Sequence, residues 1–208
     1  MTLWDISPAL RPGTPAFPGD TPYQEERTWV LGPECPVNVG AIRLSTHAGS
    51  HADAPLHYDA AGAPAGAFDL TRFIGPARLV DVRGVGPLVR PEHLAAALAT
   101  PVRRLLLRTY ERMPQDRWEP DFTAIDPAAV ELMAAHGVDL IGTDAASLDP
   151  ATSKTLDAHM AVRRHGMLII ENLVLDDVPA GDYELIALPL KLSNMDAAPL
   201  RAVLRPLP

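Results

Sequence analysis

Apolar residues come in short runs along most of the chain, too short for long helices. Residues 77–82 (ARLVDV), 104–109 (RLLLRT), 138–141, 167–170, 185–190 and 200–204 are predicted strands. Apolar runs of this length suit strands buried on both faces. From Val37 onward, Val39, Ala41, Arg43 and Ser45 share one face and Ile42 and Leu44 the other, which predicts a further strand. Helices fall between some of these. Residues 91–99 (PEHLAAALA) open with proline at a first-turn position. Asp126 can cap a helix that begins at Pro127, and Gly137 can take the left-handed stop. Residues 153–164 predict a third helix, closed by Gly166. Strands and helices mix without a dividing linker or an internal repeat. The expected fold class is therefore α/β, as a single domain over residues 1–208.

Composition adds an N-terminal feature. Seven of the 22 prolines lie in the first 36 residues, which predicts an extended, turn-rich arm. Trp4, Ile6, Leu10, Phe17, Tyr23 and Trp29 give that arm anchors to bury, so an ordered arm is expected rather than a loose tail. The hydrophobic fraction of 47% and charged fraction of 21% are those of a globular chain. No 18-residue apolar run predicts a membrane span, and the first residues lack the basic and apolar regions of a secretory leader. A single cysteine excludes an internal disulfide and suits a reducing compartment, so a cytoplasmic location is expected. A net charge of −8 argues against sequence-independent binding of nucleic acid.

The chemistry concentrates in His47-Ala-Gly-Ser-His51-Ala-Asp53-Ala-Pro55-Leu-His57. Histidine and carboxylate are the donors that zinc, manganese or iron accept in catalytic sites. Gly49 and Pro55 disfavour a helix. In an extended chain His51, Asp53 and His57 point the same way, and a bend at Gly49 would bring His47 round. Four donors on one ion would close a structural site. A catalytic site therefore needs one of them for another duty, or a second ion to share them. His159 in the third helix and Glu171 at a strand end could complete a two-metal site if the chain folds back. Thr143-Asp144 and the Ser147–Asp149 stretch follow a strand, where site-lining residues often lie. Gly84-Val85-Gly86 lacks a third glycine, no G-x-S-x-G surrounds Ser50, and Cys35 has no neighbouring base. His93, His136 and His165 are expected at the surface, near helix ends.

The His47–His57 stretch resembles the H-x-G-[TS]-H-x-D-x-P-x-H signature of the cyclase-like metal-dependent hydrolases. Residues 3–7, 14–20, 36–39, 54–59, 142–144, 147–149, 171–173 and 188–192 extend the resemblance over essentially the whole chain, toward the bacterial kynurenine formamidases. The resemblance implies a swivelling β/β/α fold, a homodimer, and two zinc ions per subunit, with other divalent metals such as manganese as substitutes. It implies His47 and His51 on one ion, His159 on the other, Asp53 and Glu171 on both, and His57 free as the acid–base group. The implied substrate is N-formyl-L-kynurenine, hydrolysed to L-kynurenine and formate. Phe17 stands where tryptophan is common in that family, at a position that lines the substrate pocket. Two other functions fit the same residues: hydrolysis of a cyclic amide such as isatin, or metal binding without turnover.

Overall fold

The structure, a computed structural model, describes residues 2–207. In chain order its strands and helices are β1 (Trp4–Asp5), β2 (Gln24–Trp29), β3 (Val39–Arg43), β4 (His51–Asp53), β5 (Ile74–Asp81), β6 (Leu88–Val89), α1 (Pro91–Leu94), β7 (Arg104–Arg108), β8 (Ala124–Ile125), α2 (Pro127–Ala135), β9 (Leu140–Thr143), α3 (Asp157–Arg164), β10 (Leu168–Glu171), β11 (Gly181–Pro189) and β12 (Ala197–Pro206). Short 3-10 turns at Pro55–His57, Ala65–Ala67 and Leu70–Phe73 connect β4 to β5. The architecture is mixed α/β with a barrel-like sheet.

Eight strands form that sheet, in the order β1-β12-β11-β5-β7-β9-β10-β4. The start of β12 also pairs with β4, which closes the sheet on itself. Strands β5, β7, β9 and β10 run parallel, and each predicted apolar run overlaps one strand of the sheet. Strands β7, β9 and β10 are buried on both faces, as expected of short apolar runs, whereas β5, β11 and most of β12 are buried mainly on one face. Leu106, Leu140, Leu168 and Ile170 join one core with Phe73, Leu185 and Leu204. Leu105, Leu107, Ile141 and Ile169 join another with Val130, Met133 and Val162 of the covering helices. Helix α2 forms as expected: the Asp126 side chain accepts from the Ala128 N–H, and Gly137 takes φ +83°.

Several boundaries differ from expectation. Helix α1 stops at Leu94, and the alanines beyond it continue as turns. Helix α3 begins at Asp157 rather than Ser153, because Leu156 just ahead of it adopts a left-handed conformation (φ 50°). The strand beginning at Val39 is not buried on either face. It pairs only with β2, and the two form an exposed antiparallel ribbon apart from the main sheet. This ribbon straddles the expected arm boundary at residue 36. Among the six expected anchors only Ile6 is buried, while Phe17 and Trp29 are 47% and 57% exposed. A two-stranded ribbon has no second layer to cover its apolar side chains. No described helix is long and apolar enough to cross a membrane.

Candidate metal centre

Strand pairing builds the centre. In β10 and β4, Ile169 lies opposite Asp53 and Glu171 opposite His51. Alternation then places His51, Asp53 and Glu171 on the face that α3 covers, while Ala52 and Ile170 turn into the opposite core. Ala158, Ala161 and Val162 anchor α3 against this face, which buries His159 beside the carboxylates. Just before β4, Gly49 adopts φ +60°, the predicted bend. A side chain there would also collide with Leu10, since an added Cβ would lie 2.6 Å from its Cδ2. After β4 the chain enters the turn at Pro55. His57 therefore reaches the cluster by that 3-10 turn and not by extended alternation, a correction to the sequence expectation.

The structure brings all five expected donors together. His47 Nδ1 and His51 Nε2 lie 3.1 and 3.3 Å from Asp53 Oδ1, and His159 Nε2 lies 3.3 Å from Asp53 Oδ2. Glu171 reaches both sides: Oε2 is 3.5 Å from His51 Nε2 and Oε1 is 3.7 Å from His159 Nε2. Neighbouring groups hold the donors still. Gly49 O lies 2.9 Å from His51 Nδ1, and the Leu148 N–H donates to Glu171 Oε1. Asp149 accepts from the backbone N–H groups of Ala158 and His159, and its Oδ2 lies 2.6 Å from His159 Nδ1. One carboxylate thus caps α3 and fixes the His159 ring, the outer-partner arrangement common to metal-binding histidines.

His57 sits at the exposed rim, its ring 4.4 Å from that of His47 and 6.0 Å from that of His159. Donor atoms of Asp53, His57 and His159 lie within 4.8 Å of one another, as do those of His47, His51 and Asp53. Asp196, which the sequence did not bring forward, joins the rim just ahead of β12. Its Oδ2 lies 3.0 Å from His47 Nε2 and 3.4 Å from His57 Nδ1. A cavity of about 300 Å³ opens over the cluster, lined by Phe17, His47, His57, Trp118, Ser147 and Asn172 among others. Phe17 meets Trp118 edge-on at 5.0 Å. Trp118 was also missed, because it lies in an irregular segment with no periodic signal. The Asp144 carboxylate accepts from Thr109 and Tyr110. It lines an adjoining cavity with Tyr110 and Trp118, not the one over the metal cluster.

The electrostatics suit a cation. Burial disfavours charge on His51 and His159, yet the carboxylates prevail and push each up to about 10. Asp53 and Glu171 act on His51; Asp149 and Asp53 act on His159. Burial would raise Asp53, but His159, His47 and His51 hold it well below the usual carboxylate range. His51 Nε2 and Asp53 Oδ1 are buried with no hydrogen-bond partner. Unsatisfied buried donor atoms are costly, and a metal ion satisfies both. The set is all nitrogen and oxygen, with no thiolate. It fits zinc or manganese.

Comparison with known proteins agrees. A family model described as "Putative cyclase" matches residues 4–150. A potential metal-dependent hydrolase with cyclase activity is 28% identical, with a TM-score of 0.84 over 98% of this chain and 96% of its own. A predicted metal-dependent hydrolase from Bacillus stearothermophilus is 26% identical, with a TM-score of 0.83 over 98% and 97%. Isatin hydrolase A from Labrenzia aggregata shares the fold at 22% identity, with a TM-score of 0.80 over 98% and 93%. The chain belongs to the cyclase-like family of metal-dependent hydrolases.

Proposed function

We propose that the protein is a two-zinc arylformamidase, which hydrolyses N-formyl-L-kynurenine to L-kynurenine and formate. The observation that carries the substrate is the aromatic pair Phe17 and Trp118 at the mouth of the cavity over the metal cluster. Such a pair offers an aromatic wall on which an aryl ring can pack, with its amide carbonyl held toward the histidines. His47, His51 and Asp53 would hold one ion, His159 the other, and Asp53 and Glu171 would reach both. Bound there, divalent cations supply an acidified water and polarise a carbonyl. His57, exposed at the rim, accepts a proton from the attacking water. It returns that proton to the aniline nitrogen as the C–N bond breaks, so the formyl carbon leaves as formate and the nitrogen as the free amine. Phe17 stacks on the ring without the N–H that an indole would add.

A second reading, hydrolysis of a cyclic aryl amide such as isatin, would use the same aromatic wall and the same donors. The test is a parallel assay of metal-loaded protein with N-formylkynurenine and with isatin, each with a chelated control. Release of the aniline chromophore from N-formylkynurenine alone supports the formamidase. Turnover of isatin alone replaces it with the cyclic-amide reading. No metal-dependent turnover of either defeats both.

A further inference from the structure

Asp196 stands outside the expected site, yet it is tied into the rim more firmly than a surface acid. Its backbone carbonyl accepts from the Ala54 N–H at 2.9 Å, beside the pairing of Ala197 with Asp53. The Thr46 hydroxyl donates to its Oδ1 at 2.9 Å. That leaves Oδ2 facing two imidazoles: His47 Nε2 lies 3.0 Å away in hydrogen-bond geometry, and His57 Nδ1 lies 3.4 Å away, within ion-pair reach but not aligned as a hydrogen bond. His47 turns its other nitrogen toward Asp53, into the metal cluster. A single carboxylate oxygen therefore stands behind an expected metal ligand and behind the expected acid–base group.

We propose that Asp196 is the positioning residue for His57, holding a proton on Nδ1 so that Nε2 faces the cavity. This rests on the hydrolase reading above. Neutral imidazole has two tautomers, and only the one with a bare Nε2 can take a proton from water in the cavity. A carboxylate beside Nδ1 selects that tautomer and fixes the ring, the logic of a base oriented by a third group. The oxygen shared with His47 keeps the His57 ring in register with the metal ligands. No other carboxylate within 4.0 Å of His57 serves this end among the described residues.

The test uses the full-length, zinc-loaded protein and its Asp196→Asn, Asp196→Ala and Asp196→Glu variants. Long-range nitrogen NMR of His57 reads the tautomer, bound zinc is counted by mass spectrometry, and kcat and KM are measured on N-formylkynurenine. The wild type should show a proton on Nδ1; Asp196→Ala should lose that preference while retaining zinc. Its kcat should fall roughly ten- to a hundredfold with little change in KM, added acetate should restore part of it, and Asp196→Glu should retain more than Asp196→Asn. An unchanged His57 tautomer in Asp196→Ala overturns the proposal. So does a rate loss that vanishes with excess zinc, because Asp196 would then serve His47 alone. If the wild type does not turn over N-formylkynurenine, the substrate reading fails, and the tautomer measurement still decides the role of Asp196.

Discussion

The candidate metal centre has two unlike halves. The inner half, His51, Asp53, His159 and Glu171, is buried and carried by β4, α3 and β10, whose pairing and packing fix every backbone. The outer half, His57, Asp196 and Phe17, stands on loops and turns and is partly open to solvent, and His47, an expected ligand on the turn ahead of β4, joins the two. Holding a cation calls for buried, preorganised donors, because their desolvation is met in folding and not in binding. Moving a proton and admitting a substrate call for access. The division of labour follows from burial, and variants in the two halves should therefore fail in different ways.

The largest effect belongs to the centre of the inner half. Asp53→Ala should bind neither ion, lose metal-dependent turnover, and leave His51 and His159 without their shared partner. Removing one member of a buried charged cluster costs about 3–5 kcal/mol, so the metal-free variant should also unfold earlier in denaturant. Metal content and a denaturation curve check this. Two bound equivalents in the variant would remove Asp53 from its bridging place. His57→Ala should do the opposite: keep its metal and its stability but lose about 10²–10⁴ in kcat. Loss of metal with that change would make His57 a ligand and erase the distinction between the halves.

Legibility in the sequence did not follow the two halves. His51, Asp53 and His57 stood out because donors alternated along one short stretch, and the parallel strands behind them were plain apolar runs. The pairing that closes the site was not visible. Strand β4 has only three residues, and the start of β12 reads Ala197-Ala198-Pro199, small residues and a proline that carry no strand signal. These segments are strands because of their partners, with β4 held between β10 and the start of β12, so Asp196 at their edge gave no warning. His159 and Glu171 had weak signals of their own and were placed by family resemblance. Asp149 caps α3 from a preceding loop, a contact that local propensity could not foretell.

Proton linkage gives the next effect. In the metal-free protein His51 and His159 are pushed from 6.5 up to about 10. A group whose folded pKa is raised contributes stability that is complete below its unfolded pKa and is lost as pH rises through the folded value. The metal-free protein should therefore lose melting temperature between about pH 6.5 and 10, by the linkage of raised imidazoles. Bound metal must displace those protons. Affinity should therefore rise with pH, by up to about tenfold per unit for each proton released. Calorimetry in buffers of different ionisation heat measures the release directly. Proton-neutral binding at pH 7 would show that the inner histidines are already bare.

The smallest effect belongs to the far edge of the outer half. Phe17 is half exposed, so truncating it opens no core and should leave melting temperature and metal content unchanged. What it loses is the edge-on contact with Trp118 and part of the aromatic wall. An aromatic pair is worth about 0.5–1.5 kcal/mol, which corresponds to roughly a two- to twelvefold rise in KM for Phe17→Ala. The kcat should change less, because Phe17 is not placed at the reacting atoms. Phe17→Trp restores the ring and adds an N–H, so it should recover KM on an aryl substrate. A fall in kcat with KM unchanged would mean that Phe17 orients the bound amide rather than simply holding its ring. The boundary between binding and chemistry would then run through the arm itself.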